Sequence, residues 1–395
     1  MTKPASPYFS RAVLIFIMAR MLERFTTNIY VAILPLITIA LMVSHQLVQM
    51  SMVVYLIFSG ISQLLCGFGD RYHKRWLLLG SAILVFLGSS LIVVFHDANF
   101  LIMGRAIQAL GAACAPVIGN AYLSDVSLKL EKQFDNRVTI KIFSWMGMLV
   151  TWLPALAMYL GSVMERYYGW QSSFIVLMLL SAIIFCIFFW AENEIKLPTE
   201  DKTYVLKNYL QLLKNKDFLV RSFSFSILVC GITAYYLLSV FIYHHTFKLS
   251  AHTIGLLAFL QVGSYLLGRL TSPILYSRFG EKILLWTGIH IALISALTMF
   301  LLCYLLPPHL SSILWPFAVY SLATGMLAPC VNVGIMRVIP NTSSSAEGLF
   351  NLMITVLNVI IGLIATQLSI SYGLDFSILL VIQSLIAWCI LFFYL

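Results

Sequence analysis

Charge is what this chain has least of. Only 10% of its 395 residues are Asp, Glu, Lys or Arg, against roughly 25% in soluble domains, while 61% are hydrophobic and the mean hydropathy is +0.95. That balance excludes a water-soluble globular chain and places the protein in a bilayer. Acid is scarcer still, with 15 Asp and Glu against 24 Lys and Arg, a net charge of +9. The basic residues stand in short clusters between apolar runs, without an RNA-binding or zinc-finger pattern, so nucleic acid is not an expected partner. The seven cysteines (66, 114, 186, 230, 303, 330 and 389) fall one at a time in apolar segments and never in CxxC spacing. They read as small core hydrophobes, with no disulfide framework and no metal site expected. HExxH, GxSxG, a Walker glycine loop and a His–carboxylate cluster are all missing, which argues against an enzyme, a cofactor and an ATP-driven pump. Lys3 and Arg11 precede an apolar run broken by Arg20 and Glu23 with no small-residue cleavage site, so a first helix is expected there and not a removable signal.

What remains is apolar sequence cut into pieces of one length. Twelve stretches of about 20 residues, enough to cross a membrane, are read near 12–38, 48–69, 76–95, 100–123, 142–163, 171–191, 219–243, 253–274, 283–306, 312–336, 348–370 and 375–395. The expected fold is an all-α membrane protein with twelve transmembrane helices in two six-helix bundles, 1–191 and 219–395, joined by a linker at 192–218. The linker holds Pro198 and five of the twelve lysines, and its Leu206, Tyr209, Leu210 and Leu213 recur at helical spacing. That pattern fits a helix lying on the membrane surface or a solvated linker helix. Eighteen of the 24 Lys and Arg fall on one side of the spans and only Arg166 and Lys248 on the other. Both termini are therefore expected in the cytoplasm.

Glu23 is the one carboxylate set deep in an apolar span, within Met18-Ala-Arg-Met-Leu-Glu-Arg-Phe-Thr-Thr-Asn28. A charge at membrane depth costs on the order of 3 kcal/mol, so it is read as functional by default. Arg20 lies one turn below it and Thr27 and Asn28 one turn above, a polar stripe on an otherwise apolar helix. The competing reading is an ion pair with Arg20, Arg24 or Arg105 that only joins helices, although such pairs stabilise less than apolar packing. A proton-coupled carrier needs a carboxylate whose proton affinity changes between states, raised by desolvation and lowered by a nearby cation. If its arginine neighbours keep Glu23 ionised throughout, the net positive face favours an anionic substrate instead.

The halves repeat. Arg71-Tyr-His-Lys-Arg-Trp-Leu-Leu78 aligns with Arg278-Phe-Gly-Glu-Lys-Ile-Leu-Leu285, and Tyr168-Gly169 with Tyr372-Gly373. Paired six-span repeats build transporters whose substrate sits near the bilayer midplane between the halves. Gly67-Phe-Gly-Asp70-Arg71-Tyr-His-Lys74-Arg75 resembles the loop signature of the major facilitator superfamily, and Arg105-Ala-Ile-Gln108-Ala-Leu-Gly111-Ala-Ala113 its fourth-span signature. Gly169-Trp170-Gln-Ser-Ser-Phe174 is a third match. Asn28-Ile-Tyr30-Val-Ala-Ile-Leu-Pro35 and Phe247-Lys-Leu-Ser250-Ala-His-Thr-Ile-Gly255 are similar to the drug:proton antiporters, especially the Bcr/CflA type. Span five departs from the antiporter signature: Leu153-Pro154-Ala-Leu-Ala157-Met158 lacks its later glycines, which leaves the direction of transport open.

The resemblance implies the major facilitator fold and a monomeric secondary transporter working by rocker-switch alternating access in a bacterial inner membrane. Its partners would be a small-molecule substrate, protons and membrane lipid. The leading reading is proton-coupled efflux of amphipathic compounds, drug-like molecules or a siderophore. The alternative is a proton-coupled importer or exchanger of an anionic metabolite, and a third is a non-transporting membrane receptor or membrane enzyme. Glu23 and Arg105 are the expected proton-coupling residues, with Arg105 either pairing with Glu23 or meeting a substrate anion. Arg20, Arg24, Asn28, Tyr30, Tyr235, Tyr236, Asn332 and Asn351 are expected to line the substrate cavity. Asp70, Arg71, Lys74 and Arg75, with Gln108, form the expected conformational latch, in which a carboxylate at a helix end accepts hydrogen bonds in only one rocking state. His290 in span nine is read as satisfied by a neighbour.

Overall fold

The computed structural model describes residues 7–67, 74–130, 136–191, 210–337, 343–368 and 373–393, and among them every regular element is helical. In chain order these are α1 (Pro7–Asn28), a 3₁₀ turn (Val31–Ile33), α2 (Leu34–Leu41), α3 (His45–Gly67), α4 (Lys74–Val94), α5 (Ala98–Leu130), α6 (Asn136–Tyr168) and α7 (Ser172–Ala191). Then come α8 (Lys216–His245), α9 (Ala251–Leu305), α10 (Ser311–Arg337), α11 (Ser343–Gln367) and α12 (Leu374–Phe392). The chain divides into two compact units, Met1–Glu200 and Asp201–Leu395.

Among the described residues, nine helical stretches are long and apolar enough to cross a membrane. The 55-residue α9 is two of the expected spans, since it breaks at Gly280, whose φ of 79° and ψ of 175° only glycine adopts freely. Counting it twice and adding α3 and α6 gives the twelve spans read from the sequence. Where a surface helix was an option, residues 210–214 form a short helical turn with Leu210 and Leu213 exposed. Asn215 then caps α8, its side chain accepting from the Phe218 amide at 3.0 Å.

The repeat is visible in the backbone. Gly169 and Gly373, matched by sequence, turn the chain with φ of 79° and 78° before α7 and α12. Met42 and Lys248, each just after the first span of its unit, both stand at φ 54°.

The core of the first unit gathers Ile15, Ala19 and Leu22 from α1, Tyr55 from α3, Leu78 and Val85 from α4, and the small residues Ala109, Ala112 and Ala115 from α5. Small residues let helix backbones approach closely, which is how membrane helices gain packing without a hydrophobic drive. A Cβ on Gly111 would sit 2.4 Å from the Ser81 carbonyl oxygen, and one on Gly104 2.6 Å from that of Gly88. Cys114, on this small-residue face, is disulfide-bonded, which corrects the reading of all seven cysteines as isolated thiols.

Among the described residues of the unit, a tighter approach joins α6 to the first span. A Cβ on Gly161 would lie 1.7 Å from the Ile29 carbonyl oxygen, so any side chain there must push the two segments apart. Gly161→Val is expected to destabilise the protein by about 3 kcal/mol or more, at the upper end of overpacking effects. Thermal unfolding in detergent checks this, and a melting temperature equal to wild type would refute the contact.

In the second unit, hydroxyls and amides tie the helices. The Tyr320 hydroxyl donates to the Leu228 carbonyl at 2.7 Å, joining α10 to α8, and Thr233 Oγ1 donates to Asn358 Oδ1 at 2.7 Å, joining α8 to α11. At the start of α8, Arg221 Nε donates to Asp217 at 2.7 Å and Nη1 to Glu281, which fastens α8 to the residue after the Gly280 break. Gly334 leaves room for this guanidinium, since a Cβ there would meet Arg221 Nη1 at 2.9 Å.

Candidate functional site

The first span is not the continuous helix expected from 12 to 38. α1 ends at Asn28, the chain passes through a turn and the 3₁₀ segment, and α2 restarts at Leu34. Pro35 accounts for the break: it has no amide to donate, and in a helix interior its ring would clash with the carbonyl four residues back, so it is accepted only in the first turn of a new helix. Non-helical backbone at membrane depth is tolerated only inside protein or beside a water-filled cavity, because its carbonyls need partners. Inside the last turns of α1, Thr26, Thr27 and Asn28 each fold a side chain back onto the carbonyl four residues earlier, at 2.6, 2.8 and 2.9 Å. The carbonyls past that point need other donors. The Ile29 amide takes the Phe25 carbonyl.

The Thr26 carbonyl is met by Arg105. The guanidinium is 1% exposed and donates from Nη1 to Thr26 O at 2.6 Å and to Gln108 Oε1 at 2.7 Å. Gln108 in turn donates from Nε2 to Ser89 Oγ at 2.7 Å, linking α5 to α4. The ring centroids of Tyr30 and Tyr55 lie 4.3 and 4.2 Å from the guanidinium carbon, so the cation is held against two aromatic rings. Both rings are anchored: the Tyr30 hydroxyl pairs with Ser51 Oγ at 3.3 Å, and that of Tyr55 with Thr27 Oγ1 at 3.0 Å. A cation at a helix C-terminus also opposes the negative end of the helix dipole. Among the described residues Arg105 forms no ion pair. It is bound neither to Glu23 nor at an exposed surface.

Glu23 lies one turn before Thr27 on α1, in a stripe that stays partly exposed. Arg24 Nε approaches Glu23 Oε2 to 3.1 Å and Arg20 Nη1 to 4.0 Å, with side-chain exposures of 38% for Arg24, 23% for Arg20 and 21% for Glu23. The contacts are ionic without good hydrogen-bond geometry, since Glu23 Oε2 and Arg24 Nε make no hydrogen bond. Arg20 also rests over the Phe16 ring at 5.8 Å. Charged side chains that are partly exposed midway along an apolar span face water, because lipid would not accept them. The stripe is a partly exposed face of the first unit.

The other expected site residues divide. Asn28 and Tyr30 are buried and spent on the helix break and on Arg105. Tyr235 is buried and stacked on Phe317 with centroids 3.9 Å apart, a packing position. Tyr236 donates to Gln261 Oε1 at 2.7 Å, and Gln261 holds Ser321, so this hydroxyl belongs to a helix tie. Asn332 is half-buried and Asn351 exposed, and the backbone carbonyl of Asn351 accepts from Thr355. Gln108 serves Arg105. Asp70 and Arg71 lie outside the described residues, as do the side chains of Lys74 and Arg75 at the start of α4. His290 is satisfied as expected: Nδ1 pairs with the Trp286 carbonyl at 2.7 Å and Nε2 with Trp388 Nε1 at 3.2 Å. Sequence reading missed Tyr55, Thr26 and Ser89, which carry no motif and acquire their roles only where α1, α3, α4 and α5 meet.

Comparison with known proteins agrees with this architecture. The family model described as "Major Facilitator Superfamily" matches residues 16–363. "Multidrug resistance protein D" of Escherichia coli K12 is 24% identical over 304 residues, covering 76% of this chain and 75% of the relative. "Multidrug resistance protein MdtL" of Citrobacter koseri is 25% identical over 195 residues, so the match spans about half of each, 49% and 48%. Among solved structures, the nucleoside transporter NupG superposes with a TM-score of 0.72 at 15% identity, covering 98% of both chains. A D-xylose–proton symporter does so with 0.74 at 14% identity, covering 96% of this chain and 97% of that one. At such identities the structural likeness speaks for the fold alone. With twelve apolar spans in two units, repeated backbone turns and a family model across most of its length, this chain is an integral membrane transporter, not an enzyme, and belongs to the Major Facilitator Superfamily.

Proposed function

We propose that this transporter is a proton-coupled exporter of amphipathic small molecules, a monomer in a bacterial inner membrane with both termini in the cytoplasm, working by alternating access. The observation that carries the reading is Glu23: a partly exposed carboxylate midway along a span, held loosely by two arginines beside a helix break. Export is supported by the multidrug-resistance relatives at 24 to 25% identity. The test is substrate-dependent proton movement in proteoliposomes carrying an internal pH dye. With an acidic lumen, adding amphipathic drug-like compounds outside is expected to discharge the pH gradient by exchange. Absence of any substrate-dependent change would refute the coupling, and acidification of an initially neutral lumen that follows substrate inward would mean symport.

The cytoplasmic loop after α3 is proposed as the latch. Asp70→Asn is expected to slow turnover about tenfold, since loss of a charge-assisted hydrogen bond of ~1.5 kcal/mol is worth that much in rate. Substrate affinity should change less than twofold. Parallel measurement of transport and equilibrium binding checks this, and normal turnover would reduce the motif to a topological signal.

A further inference from the structure

We infer that the substrate carries an acidic group, a carboxylate or a group of like charge, which binds at Arg24 with Arg20 beside it. The inference rests on the proposal that the α1 stripe is the substrate face, and it adds the sign of the charge recognised there. Among the residues whose side chains are described, Arg20 and Arg24 on α1 and Arg105 against it are three guanidinium groups near one carboxylate, Glu23. Glu23 is the only Asp or Glu between residues 7 and 67.

Arg105 is held by Thr26, Gln108 and two tyrosine rings and is closed to solvent, although its Nε makes no hydrogen bond. Arg24 is the reverse case. It is the most exposed of the stripe's charges at 38%, and among the described residues its guanidinium makes one ion pair, from Nε to the neighbouring Glu23, that fails as a hydrogen bond. A guanidinium is a planar fork of five donors that matches a carboxylate or phosphate in two parallel bonds. Most of that capacity is unspent on a partly exposed face. Phe16, one turn below and under Arg20, supplies an aromatic surface for the apolar part of such a molecule. A simple organic cation meets the opposite situation, with two arginines flanking the stripe's carboxylate. An organic anion and a zwitterion share the acidic group, and both fit.

The experiment uses the full-length protein in detergent and three fluorescent probes with one aromatic body: dansylglycine (anionic), dansylamide (neutral) and dansylcadaverine (cationic). Dansylglycine is expected to bind about tenfold more tightly than dansylamide, as for one charge-assisted contact. Arg20→Gln/Arg24→Gln should erase that preference and leave dansylamide binding within twofold, while Arg24→Lys should keep part of it. Glu23→Gln should tighten dansylglycine, because the carboxylate competes for Arg24. Equal or better binding of dansylamide or dansylcadaverine, a preference that survives the double substitution, or no binding of dansylglycine would each overturn the inference. If the α1 stripe is not the substrate face at all, the stripe variants leave every probe unchanged. If it is the face but the sign is wrong, the variants alter binding with no preference for the acid. An amine-bearing acid as a fourth probe separates zwitterion from simple anion.

Discussion

Glu23→Gln is expected to abolish proton-driven transport, by 100-fold or more, in a protein that still folds. Gln keeps the size and shape of the side chain and loses only the ability to exchange a proton. The fold has little to lose at this position, because Glu23 Oε2 makes no hydrogen bond and its two ion pairs are partly exposed. Pairs in that setting contribute about 1 kcal/mol or less. Transport driven by a pH gradient should therefore disappear while the melting temperature holds. Exchange of substrate for substrate across the membrane, which needs no proton, should persist. Wild-type uptake or release driven by a pH gradient in this variant would remove Glu23 from the coupling step.

The sequence carries the fold more fully than the site. Twelve spans are legible because a helix in lipid must be apolar for about 20 residues, and little else produces that pattern. The matched Tyr-Gly pairs became matched turns at Gly169 and Gly373 because both need a positive φ that glycine takes without strain. The broken first span was also in reach. Pro35 stands in the interior of the 12–38 stretch, where a continuous helix would lose a hydrogen bond and clash. What no pattern shows is the consequence: an orphan carbonyl at Thr26, and a partner for it 79 residues along the chain. Arg105 reads in sequence as a charge seeking Glu23, since both are rare ionisable groups in apolar spans. In the folded chain it answers a backbone group, which has no signature. The tyrosines show the same limit, because hydropathy and spacing do not separate a ring that packs, like Tyr235 on Phe317, from one that lines a cavity.

Arg105→Ala is accordingly expected to damage the fold before it alters coupling. Removing the side chain leaves Thr26 O and Gln108 Oε1 without a donor in a buried place, and an empty slot between the rings of Tyr30 and Tyr55. A buried acceptor left unpaired costs about 1–3 kcal/mol, and large-to-small truncation of a fully buried side chain costs about 2–5 kcal/mol. Their effects overlap, and a total of about 4 kcal/mol is expected, enough to lower the melting temperature in detergent by more than ten degrees or to prevent recovery of folded protein. Arg105→Lys keeps the charge and one donor but not the fork, so it should fall between Ala and wild type. Tyr55→Phe keeps the ring and loses only the bond with Thr27, so it should cost about 1 kcal/mol. The ordering matters more than any single value. A role confined to Glu23 would leave the Ala variant as stable as wild type with a displaced pH optimum, and a role confined to a substrate anion would leave it stable with weakened binding. Either outcome would refute the cap. A stability series falling from wild type through Tyr55→Phe and Arg105→Lys to Arg105→Ala would establish that this cation holds the broken first span in shape.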